Sequence, residues 1–238
     1  MTSAWQKIRR NPSAVLLAVQ LLGLLVYPFF EGGPDDAFGR SVISVFGLAV
    51  LAMAVVAVDR TPLITWVGVL IGLPVVVLTI VDAVTGWSQP WHLWSDVAHA
   101  LFYAVTFGAL LIYMFRDDHV STDEMFAIGA AFTVAMWAFA YVFSICQTLI
   151  PGSFTAAVAP DTPLTWIELL FLSCTTMTST GLSDVVPVKP HARSLVMLEQ
   201  IGGMLYLAMV VARLVGMTLT RRRLSSGTST KPSTETIA

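Results

Sequence analysis

Six long apolar runs constrain this sequence more than any other feature, because each is long enough to cross a lipid bilayer as a helix. A membrane-spanning helix needs about 20 mostly apolar residues to cross a hydrocarbon core about 30 Å thick. The predicted spans cover residues 14–30, 41–58, 63–84, 96–115, 125–149 and 194–219. We therefore predict an all-α membrane protein with six transmembrane helices.

The composition excludes several other classes of protein. Of the 238 residues, 56% are hydrophobic and only 12% are charged, whereas soluble domains average about 25% charged residues. Too few charged residues are present to form the polar surface of a soluble enzyme. The net charge of −2 also excludes the basic surface that binds nucleic-acid phosphates. The predicted partner is the lipid bilayer, and nucleic acid is not a partner.

Lys and Arg residues are distributed unequally between the two sets of connecting segments. In membrane proteins the cytoplasmic segments carry the excess of these residues. Nine lie on the side of the two termini, whereas Arg40, Lys189 and Arg193 lie on the other side. We therefore predict that the protein lies in the plasma (inner) membrane with both termini in the cytoplasm.

A shorter apolar stretch, residues 164–177, lies between the fifth and sixth predicted spans. It is too short to cross a bilayer, so we predict a re-entrant segment. Hydroxyl residues, a glycine and an acid follow it. Non-helical backbone at membrane depth is tolerated only where protein buries it or water lines it. Carbonyl and hydroxyl oxygens in such a place can replace the hydration shell of a cation.

Residues 176–188, TMTSTGLSDVVPV, resemble the pore loop of the tetrameric potassium-channel superfamily, whose usual pattern is TLTTVGYGDIVPV. Residues 193–216 resemble the inner helix of bacterial two-helix pore domains. The resemblance covers about a fifth of the chain. It implies a bacterial channel subunit with six transmembrane helices and a re-entrant pore helix and filter loop between the fifth and sixth. Because each chain has one pore loop, a closed central pore requires a homotetramer.

The resemblance assigns the ion-selectivity filter to individual residues. The threonine before the filter and the five filter positions correspond to Thr178, Ser179, Thr180, Gly181, Leu182 and Ser183. The resemblance implies bound K⁺ at Ser179, Thr180 and Gly181. Gly181 can alternatively be a simple helix terminator.

Two further features carry over from the family. Asp184 corresponds to the acid at the outer mouth, although it can alternatively cap a turn. Gly203, with the adjacent Gly202, corresponds to the hinge of the inner helix. Paired glycines can also allow close packing of helices, so bending and packing both remain open.

The filter departs from the family pattern at three positions, where Thr180 replaces valine, Leu182 replaces tyrosine and Ser183 replaces the second glycine. Glycine relaxes the backbone so that successive carbonyls can point inward. The single-glycine string is also similar to the filter loops of the Trk/Ktr potassium-uptake family. That similarity implies weaker discrimination between potassium and sodium, and one or two good ion sites rather than four.

Charged residues in membrane segments are further candidates, because a charge there is costly and usually has a function or a partner. Glu168, in the first turn of the pore helix, and Glu199, in the last span, are predicted to support the filter. Glu168 can alternatively serve as a partner of the helix dipole. Helical spacing in the last span predicts an inner gate formed by Tyr206, Val210 and Met217.

The predicted domains follow the chain order. They are a cytoplasmic N-terminus (1–13), a four-helix transmembrane domain (14–115), a cytoplasmic linker (116–124), a pore domain (125–219) and a disordered cytoplasmic tail (220–238). Residues 96–115 hold no Lys or Arg, so the charged sensor helix of voltage-gated channels is absent from that span.

The expected function is a tetrameric cation channel that conducts potassium with reduced selectivity over sodium. No nucleophile–base pair or metal-ligand spacing indicates an enzyme or a cofactor. The expected permeant ions are K⁺ and, with the reduced selectivity, also Na⁺. The expected protein partners are the other copies of the chain in the homotetramer. A non-conducting channel-like membrane protein and a small-solute carrier remain alternatives.

Overall fold

The computed structural model describes residues 11–29, 62–85, 90–115, 122–158 and 160–227. The helices in chain order are α1 (Pro12–Val26), α2 (Pro62–Thr85), α3 (Trp91–Phe115), α4 (Thr122–Leu149), α5 (Trp166–Met177) and α6 (Pro190–Gly227). A 3-10 turn, Tyr27–Phe29, follows α1. Two short strands, β1 (Phe154–Ala156) and β2 (Val185–Pro187), lie before and after α5.

Four helices of the described part are long and apolar enough to cross a membrane. They are α1 with its 3-10 turn, α3, α4, and the part of α6 from Pro190 to Gly216. These helices confirm the membrane character that the sequence predicts. The described apolar segment of α2, Leu70–Asp82, and α5 are shorter. The predicted span 41–58 lies outside the described residues.

The helix α6 is longer than predicted at both ends. It begins at Pro190 and continues to Gly227, whereas the predicted span covers residues 194–219. Proline at the first position suits a helix start, because its missing N–H would have no intrahelical partner there. The three arginines after residue 220 are good helix formers and extend the helix. The first part of the predicted disordered tail (220–238) is therefore helical as far as Gly227.

Helix α4 is the packing centre of the described part, because it contacts α1, α3, α5 and α6. Small buried residues, including Ala127, Ala130 and Ala131, allow these helices to approach closely. Helix α2 packs on α3, while α1 packs on α4. Two helices of the predicted four-helix domain (14–115), α1 and α3, therefore lie against α4, which belongs to the predicted pore domain.

Polar contacts fix α1 on α4 at one end of the bundle. The Ser13 backbone N–H and hydroxyl donate to the Asp123 carboxylate at 3.1 and 3.0 Å. The Tyr113 hydroxyl of α3 donates to the same carboxylate at 3.0 Å. Farther along, the Thr133 hydroxyl lies 2.7 Å from Gln20 Oε1. Asp123 therefore joins three helices through one buried carboxylate.

Replacing Asp123 with alanine tests this junction. We expect Asp123→Ala to lower the free energy of unfolding by about 1–3 kcal/mol, because buried donors on α1 and α3 lose their acceptor. Thermal unfolding of the purified protein in detergent measures the change. Asp161→Ala, at an exposed acid, is the matched control. Equal stability of the two variants would contradict the assignment.

Candidate functional site

Helix α5, the predicted pore helix, has a well-defined N-terminus. The Thr165 backbone N–H and hydroxyl both donate to Glu168 Oε2, at 2.6 and 3.0 Å. An acid in the first turn also interacts favourably with the positive end of the helix dipole. These contacts lie at the end of α5 opposite the filter. The contacts of Glu168 cap α5 and agree with the alternative that it is a partner of the helix dipole, while its predicted support of the filter stays a prediction.

At the other end of α5, one carbonyl organises the start of the filter. The Thr175 carbonyl oxygen accepts hydrogen bonds from the backbone N–H groups of Thr180 and Gly181, at 3.0 and 3.1 Å. The Thr180 hydroxyl donates to the same oxygen at 3.2 Å and lies 3.1 Å from the Thr178 hydroxyl. The chain therefore wraps around the helix terminus rather than continuing away from it.

The sign of the backbone φ angle alternates through the predicted filter. Ser179 and Gly181 have positive φ angles of 57° and 64°, with Thr180 between them. Such alternation can turn successive carbonyls toward the same side. Ser183, at the position of the missing second glycine, is not among the positive-φ residues of the described ranges. Its hydroxyl instead accepts a hydrogen bond from the Val185 N–H at 3.0 Å.

Five of the six carbonyls of the predicted filter have no hydrogen-bond donor within the described part of the chain. They belong to Thr178, Ser179, Thr180, Leu182 and Ser183, and the first three are consecutive. The Gly181 carbonyl differs, because it accepts a hydrogen bond from the Ser183 N–H at 3.1 Å. Of the three predicted K⁺ positions, Ser179 and Thr180 thus present free carbonyls. Free carbonyl oxygens are the groups that replace the hydration shell of a cation in a filter.

A small sheet holds the chain after the filter. Strand β2 pairs antiparallel with β1, and Val186 lies opposite Thr155. The Ala157 N–H donates to the Asp184 carbonyl oxygen at 3.1 Å. The side chains of Asp184 and Leu182 are exposed, and that of Leu182 is 80% accessible in the single chain. The sheet therefore fixes the backbone here while the predicted outer-mouth acid stays accessible.

The paired glycines of α6 have different surroundings. A Cβ atom at Gly203 would lie 2.3 Å from the Met177 carbonyl oxygen at the end of the pore helix, whereas a Cβ at Gly202 would meet nothing within 4 Å. Helix α6 passes through both residues without interruption. The missing side chain at Gly203 therefore allows close contact between α6 and α5, which favours the packing alternative, while the hinge stays a prediction.

Two of the three residues of the predicted inner gate pack inside the single chain. Tyr206 and Val210 are buried in the core of the single chain, so they do not lie on the open face of α6. The Tyr206 hydroxyl donates to the Ile128 carbonyl oxygen of α4 at 2.6 Å, and its ring contacts that of Phe107 on α3. The side chain of Met217 lies outside the described residues.

One stripe of α6 is buried within the chain, and a wide face is not. The buried residues recur at helical spacing and include Ala192, Val196, Glu199, Gly203, Tyr206 and Val210. Arg213 continues this stripe and lies 3.7 Å from Glu124 of α4. The exposed face carries large apolar side chains, including Leu198, Ile201, Leu205 and Val211. Arg213 therefore points toward α4 rather than toward the open face.

Two residues of α5, Thr175 and Ser173, make contacts that the sequence did not predict. The carbonyl of Thr175 holds the filter turn, and the hydroxyl of Ser173 contacts Glu199, the predicted filter support on α6. A backbone carbonyl leaves no signal in a sequence. Ser173 lies three or four residues from the apolar residues Leu169, Leu170 and Met177, and this helical spacing could have indicated that its hydroxyl faces the interior.

Comparison with known proteins agrees with this geometry. Residues 131–220 match the protein-family model described as Ion channel. The matched residues run from α4 through the pore helix and filter into α6. No curated protein and no solved structure shows a significant match to the chain. This part of the chain is therefore similar to ion channels, and the long apolar helices support a membrane protein.

The glycine pair provides a matched test of the contact between α6 and α5. We expect Gly203→Ala to lower the free energy of unfolding by about 1–3 kcal/mol, because the added methyl group overlaps the Met177 carbonyl. Gly202→Ala is the control, since its Cβ enters open space. Thermal unfolding of both purified variants measures the difference. Equal effects would contradict a packing role specific to Gly203.

Proposed function

We propose that four copies of this chain form a potassium-conducting channel with reduced selectivity over sodium. The observation that carries the proposal is the set of free carbonyls at Thr178, Ser179 and Thr180. They follow a pore helix too short to span the bilayer, inside the segment that matches ion channels. Ions would cross by electrodiffusion with partial loss of hydration water, and no covalent step is required.

The open face of α6 supports the homotetramer. In the single chain, large apolar side chains on one face of the described part of α6 are exposed, although the same helix packs closely on α5 through Gly203. One filter loop per chain can supply only one wall of a pore. A four-fold arrangement closes the pore and brings four sets of carbonyls around one axis.

The reduced selectivity follows from the number of available carbonyl layers. The Gly181 carbonyl already accepts a hydrogen bond from Ser183, so it is less available as an ion ligand. It therefore interrupts the row of free carbonyls after residues 178–180, and three consecutive layers suit one or two sites rather than four. With fewer sites, the discrimination between two dehydrated monovalent cations is smaller.

The positions of charged residues support two features of the proposed channel, a negatively charged entrance and gating without a charged sensor helix. Four exposed Asp184 side chains would form a negative ring at the outer mouth and concentrate cations there. Helix α3 contains no Lys or Arg, so gating by a charged sensor helix of the usual kind is not part of the proposal. The distribution of Lys and Arg favours the plasma membrane with cytoplasmic termini.

Two positive-φ glycines allow a matched test of the filter. Gly181 and Gly152 have φ angles of 64° and 72°, and a Cβ at either would meet nothing within 4 Å. Alanine should therefore impose a similar strain of about 1–2 kcal/mol at both positions. Only Gly181 lies in the filter. We expect Gly181→Ala to reduce potassium flux by about tenfold or more, and Gly152→Ala to leave flux within about twofold.

Flux of K⁺ or Na⁺ from liposomes that contain the purified protein measures this effect. The wild type should pass potassium faster than sodium, but should pass both ions. No flux of either ion from intact tetramers would contradict the proposal and favour a non-conducting channel-like protein. Equal loss of flux in both glycine variants would contradict the location of the filter.

A further inference from the structure

A buried acid of α6 contacts the pore helix behind the filter. Glu199 has a relative accessibility of 0%, and its Oε1 atom is hydrogen bonded to the Ser173 hydroxyl. The Ser173 hydroxyl also lies 2.9 Å from the Met136 carbonyl oxygen of α4. Three elements, α4, α5 and α6, therefore meet at one serine hydroxyl.

The Ser173 hydroxyl has a single hydrogen to donate, and this determines which protonation state of Glu199 fits the two contacts. A serine hydroxyl has one hydrogen to donate and can accept from another donor. An ionised Glu199 and the Met136 carbonyl are both acceptors, so they would compete for that one hydrogen. A protonated Glu199 instead donates to Ser173, and Ser173 donates to Met136. Only the protonated acid satisfies both contacts at once.

The surroundings of Glu199 also favour an uncharged acid. Its second oxygen, Oε2, is buried and has no hydrogen-bond partner in the described part of the chain. No Lys, Arg or His of the described ranges forms an ion pair with it. The titratable group that faces it from the pore helix is the Cys174 thiol, and α4 contributes the neutral Met136 carbonyl. An unpaired buried charge is costly, so the site suits a neutral acid.

Glu199 is also well placed to affect the filter. Its partner Ser173 lies two residues before Thr175, whose carbonyl holds the amides of Thr180 and Gly181. Four residues after Glu199, Gly203 contacts the Met177 carbonyl at the end of the same pore helix. The two contacts fix α5 against α6 on both sides of the carbonyl that organises the filter.

We propose that Glu199 is a positioning residue that works as a protonated acid, and that its ionisation releases the pore helix and stops conduction. This inference rests on the proposed channel function. Ionisation leaves an unpaired charge between α5 and α6 and removes the hydrogen that Ser173 accepts. Conduction should therefore persist at neutral pH and be lost at alkaline pH.

Glutamine at position 199 gives the sharpest test, because its amide can donate to Ser173 as the protonated acid does but cannot ionise. We expect wild-type potassium flux from liposomes to fall about tenfold between about pH 7 and about pH 10. Glu199→Gln should conduct within about twofold of the wild type at neutral pH and keep that flux at alkaline pH. Glu199→Ala should lose flux at every pH, because no donor remains.

Two control variants separate Glu199 from other titrating groups. Glu168→Gln removes the capping acid of the same pore helix and should keep the alkaline loss of flux. Cys174→Ala removes the neighbouring thiol and should keep it as well. Loss of flux in Glu199→Gln at neutral pH, or an unchanged alkaline loss in that variant, would overturn the inference.

A measurement without ion flux separates this inference from the proposed function. The infrared carbonyl band of a protonated carboxylic acid should be present in the wild type at neutral pH and should decrease in Glu199→Gln. Its persistence at full strength in that variant would overturn the inference even if the protein conducts. If the wild type conducts at no pH but the band behaves as expected, the channel proposal fails and the protonated state of Glu199 stands.

Discussion

The chain after the short apolar helix α5 pairs its backbone N–H groups with the end of that helix, and the proposed site depends on this pairing. The Thr175 carbonyl, near the end of the pore helix, accepts hydrogen bonds from the N–H groups of Thr180 and Gly181. The chain is thereby turned back on the helix terminus. The carbonyls of Thr178, Ser179 and Thr180 are left without donors in the described part, where they are available to a cation.

Helix α6 positions this turn from behind. Gly203 permits contact with the Met177 carbonyl, and Glu199 contacts Ser173 one turn earlier in α6. Helix α4 supports both, because it packs on α5 and α6 and supplies the Met136 carbonyl to Ser173. Any rearrangement of α6 would therefore act on the pore helix first, and through Thr175 on the filter. The opposite face of α6 remains apolar and open, as a subunit of a larger ring requires.

The short helix α5 could be predicted from the sequence, since the apolar stretch at residues 164–177 is bounded by polar residues and is too short to span a bilayer. The buried face of α6 could not, because this helix is apolar around most of its circumference and its periodicity does not single out one side. The burial of Tyr206 and Val210 within the single chain therefore became visible only in the structure. The close contact at Gly203 could not be predicted either, because it involves the carbonyl of Met177, which is distant in sequence. The same holds for Ser183, whose φ angle is not positive and whose hydroxyl accepts a hydrogen bond from the Val185 N–H.

The most direct test of the central claim is a density map of the assembled protein in potassium. Four subunits should surround one axis, with the carbonyls of Thr178, Ser179 and Thr180 facing it. One or two ion densities should lie at the level of these carbonyls. An assembly without a four-fold axis through the filter loops would contradict the account, and so would a row of four equally spaced dehydrated ions.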